Sequence, residues 1–360
     1  MKVSDFIFRY KTSAFSQRVG LCRVRIFVNM EDRAIYAVLS ELEENPSSSV
    51  TNAVEHITSQ LIQAEKIPAS AIIIDHYPPA IFNYDEFSIV SFDAEGRPSW
   101  EDISLGKCLR LLGCTEEEFS DYRSDPRVRE EISDAINGIS HIQSAEIVEN
   151  PKITQRRLEI KNSQYRLEDV RRVLNTYPSE TDMGKFIQSD MSLLAEVYAQ
   201  IEDEYICFSE FPVGEGRADF VVFTGRSRMK VFIIEIKGAN IPLRRKNHYH
   251  SFRASVQEGK DQLEERAKYC QENYEKFRRF VYDVLDEVKK GRRPYNAFLG
   301  PKHELQVDSD KDIHISYVLI AGRTSDNLQD SQKRHMTESA SNLNIQIETW
   351  DSWLAKLRRQ

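Results

Sequence analysis

The sequence predicts an α/β protein, with a C-terminal mixed sheet flanked by helices behind a small N-terminal α+β domain and a helical connector. Three features carry that reading. The runs ADFVVF and VFIIEIK are rich in β-branched and aromatic residues and flank the polar, Gly-containing stretch TGRSRMK, the signal of a hairpin with a loop longer than two residues. A long helical pattern extends from about Phe252 to Lys290. After it, HISYVLIAGR and NLNIQIETWDSWLAKL read as strand, loop or helix, strand and helix, which places strands before and after the long helix.

Three segments follow in chain order. Residues 1–115 form the α+β module, with GLCRVRIFVNM as a strand and EDRAIYAVLSELEEN as a helix whose Ile35, Val38, Leu39 and Leu42 share a face. NPSSS is a turn, and VTNAVEHITSQLIQAEKI is a second helix with Val54, Ile57, Leu61 and Ile62 on its apolar face. AIIIDHY, IFNYDEF and SIVSFD are strand-like. His76, after a buried-looking strand, reads as a structural histidine. By position this module could sense or regulate. Residues 116–175 are charged and mostly helical, with NPKITQRRLEIKNSQYRL as a candidate strand pair. Residues 176–360 hold MSLLAEVYAQI as a helix, YICFSEFPV as a strand, the turn GEGR and the hairpin.

Composition is that of a water-soluble chain. Its 360 residues are 40% hydrophobic and 29% charged, enough for two domains. The start lacks a signal-peptide apolar region, and no run approaches a membrane span, so a cytoplasmic location with no membrane partner is expected. The five cysteines show no C-x-x-C pairing, against a disulfide framework or a structural zinc site. A net charge of −8 means that any nucleic acid must be held by local patches. RRKNHYH (Arg244 to His250), KKGRR (Lys289 to Arg293) and KLRR (Lys356 to Arg359) are such patches. The Gly-x-Gly of GEGRAD lacks a third Gly and precedes a strand, which disfavours a dinucleotide site. His248 and His250 lack the ββα surroundings of an H-N-H nuclease.

The hairpin carries the chemistry. With its turn centred on Ser227, residues pair when their numbers sum to 454, so Phe223 faces Val231 and Asp219 faces Glu235. Opposed side chains have Cβ atoms roughly 4.5–5.5 Å apart. Strand alternation adds Lys237 to the face of Glu235. The bland alternative is an exposed Glu–Lys pair with Asp219 capping turn amides, but the apolar VFII run argues for a central strand, where unpaired charge is costly. Two opposed carboxylates suit Mg²⁺ or Mn²⁺, which take carboxylate, carbonyl and water oxygens, with the Ile236 carbonyl as an extra ligand. Lys237 would orient the attacking water or stabilise charge on a phosphate. Arg217 would pair with Asp219 or touch a phosphate, and Arg244, Arg245 and Lys246 would contact DNA near the strand end. Residues Val256, Leu263, Ala267, Cys270, Tyr274, Phe277, Val281, Val284 and Val288 form a heptad seam. Its first half is expected to pack inside the domain and its second half to support a homo-oligomer, a dimer or tetramer.

The order of Asp, hairpin and Glu-x-Lys resembles the PD-(D/E)xK nuclease superfamily, with Ala218 where a proline commonly precedes the Asp. GRADFVVFTG, VFIIEIKG, VQEGKDQL and ISYVLIAGR with IQIETWDSWL together resemble the catalytic domain of Shedu-type anti-phage nucleases, over about Thr176 to Leu357. The resemblance implies a restriction-endonuclease-like sheet and a metal-dependent DNA endonuclease in bacterial defence. It implies Asp219 and Glu235 as metal ligands and Lys237 as the catalytic lysine. It also implies a Glu on the helix before the hairpin, Glu196 first and Glu180 second, and a Gln on the helix after it, Gln262 or else Gln257. The competing readings are a non-catalytic nucleic-acid-binding oligomer on the same fold, and a carboxylate-pair enzyme such as a glycosidase.

Overall fold

The computed structural model describes residues 2–12, 19–42, 49–78, 86–120, 150–245, 251–340, 343 and 345–359. The chain divides into two compact units, Met1–Asn150 and Pro151–Gln360. Each is built on a six-stranded mixed sheet flanked by helices. No helix among the described residues is long and apolar enough to cross a membrane.

In the first unit the strands β1 (Lys2–Lys11), β2 (Val19–Val28), β3 (Ile35–Glu41), β4 (Ile72–Tyr77), β5 (Glu86–Phe92) and β6 (Pro98–Ile103) lie side by side in sequence order. Only the β3–β4 pair is parallel, and helix α1 (Val50–Gln63) makes the crossover between them. Ser49 opens α1 by accepting the Asn52 N–H at 3.2 Å. Val50, Val54, Ile57 and Leu61 of α1 cover Val24, Leu39 and Ile73 on one sheet face. On the other, Phe27, Val38 and Ile74 meet Cys108 and Leu112 of α2 (Leu105–Leu112) and Phe119 of α3 (Glu116–Ser120). The expected helix over EDRAIYAVLSELEEN is strand β3, with Tyr36 to Glu41 all buried. A strand covered on both faces is apolar at consecutive positions, and such a run mimics helical spacing. The end of that segment, 43–45, most of the NPSSS turn, 45–48, and much of IFNYDEF, 81–85, lie outside the described residues. His76 is packed in the core, stacked on Phe87 at 4.5 Å. Its Nδ1 meets Ser40 Oγ at 2.8 Å and Arg25 Nη2 at 3.1 Å. A guanidinium only donates, so Nδ1 accepts and the ring proton sits on Nε2.

The second unit begins with α4 (Pro151–Ser163) and α5 (Leu167–Asn175), where a strand pair was a candidate. This segment lacks strand alternation, and Gln155 bonds Glu159 one turn on, at 3.1 Å. Both helices belong to this unit, and Arg157 grips Asp203 through two bonds of 3.0 and 2.8 Å. The sheet runs β10 (Phe298–Leu299), β7 (Tyr205–Val213), β8 (Gly216–Thr224), β9 (Lys230–Ile236), β11 (His314–Ile320), β12 (Ile345–Glu348). Pairs β7–β8 and β8–β9 are antiparallel, and β9–β11 and β11–β12 are parallel. One face carries α8 (Ala254–Glu272) and α9 (Tyr274–Lys289), which pack on Phe208, Val221, Phe223, Val231, Ile233 and Leu319. The other carries α5, α6 (Glu180–Ser189), α7 (Ser192–Tyr198) and α11 (Trp350–Leu354) over Val222, Ile234 and Ile320. Between β11 and β12 the chain forms α10 (Asn327–Ala340).

The long helical pattern is two helices that meet at Asn273. The heptad residues of both halves, from Val256 to Val288, lie in or against the core of their own unit. Both halves of this apolar seam therefore pack within their own unit. Over a few turns, a helix lying on a sheet and a coiled-coil strand differ too little in period to be separated.

Arg359 closes the unit. It donates to Asp190 Oδ2 at 2.7 Å and to Glu196 Oε2 at 2.7 Å, while Glu196 Oε1 accepts the Arg359 N–H. Removing one partner of a buried pair leaves an uncompensated charge. Arg359→Met should therefore lower stability by about 3–5 kcal/mol in urea unfolding. Arg97→Met, which removes an exposed pair with Asp93, should change stability far less.

Candidate active site

The β8–β9 hairpin positions the site. Phe220 pairs with Ile234, Val221 with Ile233, Val222 with Phe232, Phe223 with Val231 and Thr224 with Lys230. Every pair sums to 454, the register expected from the turn. The regular ladder ends at Phe220 and Ile234, and the same register carried one step further puts Asp219 across from Glu235. The Ile236 N–H donates to Asp219 Oδ2 at 2.8 Å, so a carboxylate takes the place of a strand carbonyl. Beyond it β9 is held from the other side. Lys237 N–H donates to Ile320 O at 2.9 Å, and the Lys237 carbonyl accepts from Trp350 Nε1 at 2.7 Å. The backbone under the lysine is thus fixed by a strand and a buried indole.

Two glycines let other elements close on this strand end. At Gly259 of α8, a Cβ would stand 2.8 Å from Leu319 Cδ1 and 3.1 Å from Lys237 Cε. The missing side chain leaves room for α8 to lie close over the lysine stem. At Gly238 a Cβ would stand 3.1 Å from the Glu180 backbone nitrogen, so the start of α6 sits directly on the chain after Lys237. Lys237 Nζ donates to Glu180 Oε1 at 2.8 Å. The α6 N-terminus is set by a capping box, in which Ser179 and Asp182 exchange side-chain-to-backbone bonds of 3.3 and 3.2 Å.

Burial and mutual repulsion dominate the electrostatics. Glu235 is 2% exposed and Lys237 5%. Burial pushes the Glu235 carboxyl up to about 8, the Asp219 charge adds to this, and Arg266 and Lys237 pull back. Burial also raises Asp219, against the Ile236 amide and Lys237. Opposed carboxyls in a poorly solvated site titrate as a pair and retain a proton that either alone in water would lose.

Asp219, Glu235 and Lys237 are therefore brought together, and Glu180, the second choice among helical glutamates, joins them. Glu196, the first choice, does not, since both its oxygens are held by the C-terminal segment. Gln262 on α8 has its Oε1 buried without a hydrogen-bond partner. Gln257 pairs with Asp261 at 2.7 Å. Both glutamines line an open cavity of about 710 Å³, together with Arg245, Phe252, Glu258 and Glu265. Arg217 is exposed, and its carbonyl accepts from Arg266 Nη2. Arg244 was expected to meet DNA, but it is buried at 5% exposure and clasps Asp330 and Gln329. Arg359 of the KLRR patch is likewise turned inward. Lys246, His248 and His250 lie outside the described residues. One contributor was missed by the sequence reading. Arg266 lies one turn beyond Gln262 and two turns beyond Gly259, on the α8 face above the site, and its Nη2 is 3.1 Å from Glu235 Oε1. That spacing was its only signal.

Asp219 and Glu235 supply two carboxylates of the kind hard divalent cations take, and Gln262, whose buried amide oxygen has no hydrogen-bond partner, lies on the same helix as Gly259 and Arg266. The backbone of Ile236 adjoins the carboxylates. No group of three or more His, Cys, Asp or Glu among the described residues is arranged as a metal site. The set fits an ion such as Mg²⁺, which uses one or two carboxylates and keeps several waters.

A carboxylate pair and a lysine at the end of a central hairpin form a charged, mostly buried centre on a mixed α/β sheet. Residues 178–354 match the family model described as Shedu protein SduA, C-terminal. No curated protein matches the chain.

The pair makes ion-free stability depend on pH. Between the ordinary Glu value of 4.5 and the folded value of about 8, the folded protein keeps a proton that the unfolded chain has lost. Fewer protons on the unfolded state mean that stability falls as pH rises through this window. In EDTA, urea unfolding should show wild type losing stability between pH 5 and pH 8.5 relative to Glu235→Gln. Parallel pH profiles for the two proteins would show that Glu235 does not hold the proton.

Proposed function

We propose that the second unit is a metal-dependent DNA endonuclease that hydrolyses phosphodiester bonds in anti-phage defence. The observation that carries this reading is the convergence of Asp219, Glu235 and Lys237 at one strand end. The family match supports the defence role. Asp219 and Glu235 would hold Mg²⁺ or Mn²⁺, with Gln262 and the Ile236 carbonyl as further oxygen donors. Such an ion lowers the pKa of its bound water and so supplies a nucleophile near neutral pH.

Lys237 acts beside the carboxylates. Its stem is confined under Gly259, and its ammonium is directed by Glu180. A cation held this way stabilises negative charge as it builds on the phosphate. Glu180, about half exposed, keeps the lysine extended until a phosphate competes for it. Arg217, which is exposed, and Arg245, which lines a cavity with Gln262, are the candidate backbone contacts, and their share of binding would weaken with salt.

The test is cleavage of supercoiled and linear plasmid in Mg²⁺, Mn²⁺ or EDTA, with phage components added in parallel. Wild type should cut only with a divalent ion. Lys237→Ala and Glu235→Ala should each lose roughly 100-fold or more of that activity. Equal cutting by all three proteins would place the chemistry elsewhere. DNA binding by all three with no cutting under any condition would favour a non-catalytic binding protein.

A further inference from the structure

We propose that Arg266 is the resident counter-ion of the carboxylate pair, occupying in the ion-free protein the place at Glu235 that a divalent ion takes. This rests on the nuclease reading and adds to it a residue whose displacement accompanies ion loading. Three other arginines of this unit each grip one carboxylate through two nitrogens. Arg226 meets Glu204 through both Nε and Nη2. Arg157 meets Asp203 in the same two-toothed way, and Arg323 meets Asp351 likewise. That fork matches a carboxylate and locks both partners.

Arg266 is held differently. Its side chain is only 12% exposed, yet one nitrogen makes all its described contacts. Nη2 donates to the Arg217 carbonyl and lies 3.1 Å from Glu235 Oε1. The Glu235 contact is not aligned as a hydrogen bond, since Oε1 is a buried oxygen without a hydrogen-bond partner. Arg266 Nε is also buried and without a partner. The guanidinium therefore supplies charge without the fork that would make the pair permanent.

Space makes the two cations exclusive. A carboxylate oxygen binds Mg²⁺ at about 2.0–2.1 Å, and Glu235 Oε1 faces the guanidinium. Loading the ion there requires Arg266 to withdraw. Gly259, Gln262 and Arg266 lie three and four residues apart on α8, so the arginine leaves along the same helix face that presents Gln262.

The experiment titrates Mn²⁺ into the full-length protein without DNA, followed by calorimetry. Arg266→Met removes the charge and keeps the length, and Arg266→Lys keeps the charge on a smaller ammonium head. Arg266→Met should bind Mn²⁺ at least about tenfold more tightly than wild type, because a competing cation beside the ligand is gone. Arg266→Lys should fall between them. In parallel, the Nε–H NMR resonance of Arg266, assigned by its loss in Arg266→Lys, should shift when Mg²⁺ is added to wild type. A purely structural arginine would keep its resonance. Unchanged or weaker Mn²⁺ binding by Arg266→Met, or an unmoved resonance at saturating Mg²⁺, overturns the proposal. If Arg266→Met does not fold, the resonance alone decides. Glu235→Gln separates the two claims. If it abolishes Mn²⁺ binding while Arg266→Met leaves affinity unchanged, the ion site stands and the counter-ion role falls. If it binds like wild type, both fall.

Discussion

Two carboxylates held face to face across an antiparallel strand pair repel each other, and the second unit is organised around keeping them there. Asp219 and Glu235 cannot slide apart, because the register that opposes them is fixed by apolar rows on both sheet faces. Val221, Phe223, Val231 and Ile233 lie under α8 and α9, and Phe220, Val222, Ile234 and Ile236 lie under α6 and α7. A one-residue slip would turn each row to the wrong side and bring charged residues into the core. Burial of the hairpin thus sustains an arrangement that electrostatics alone would disperse.

What remains of the repulsion is met locally by four devices. The Ile236 amide donates to Asp219, Lys237 lies on the same face, Arg266 approaches Glu235, and the pair keeps a proton. Each of these is a partial answer, and the buried Glu235 and Gln262 oxygens without hydrogen bonds show that polar capacity is left over. A site in this condition gains from a dication and from the phosphate that would follow it. The elements around it are rigid. Trp350 and Ile320 fix the lysine backbone, and Gly238 and Gly259 admit α6 and α8 at close range.

The hairpin was legible in the sequence because its information is local. The turn position and side-chain alternation together gave the register and the facing set of Asp219, Glu235 and Lys237. The helical glutamate was not legible. Glu180 and Glu196 both precede the hairpin on helices, and the choice between them depends on which helix end meets the strand. That is decided by Gly238 under the α6 start and by Arg359 at the far C-terminus, neither of which marks its partner in the sequence. Arg244 sat in a basic run that looked solvated, but Asp330, far along the chain, draws it inward. Strand β3 failed as a helix because a strand covered on both faces loses the period of two. The α8–α9 seam was read as apolar, and both of its halves pack on the sheet of their own unit.

The central claim is that Asp219 and Glu235 share one divalent ion. Crystals of the full-length protein grown with Mn²⁺ and recorded at the manganese absorption edge test this directly. The account predicts an anomalous peak between the two carboxylates, about 2 Å from an oxygen of each, and no such peak in Glu235→Gln crystals. An empty space between the carboxylates at saturating Mn²⁺, with Arg266 still against Glu235, would contradict it.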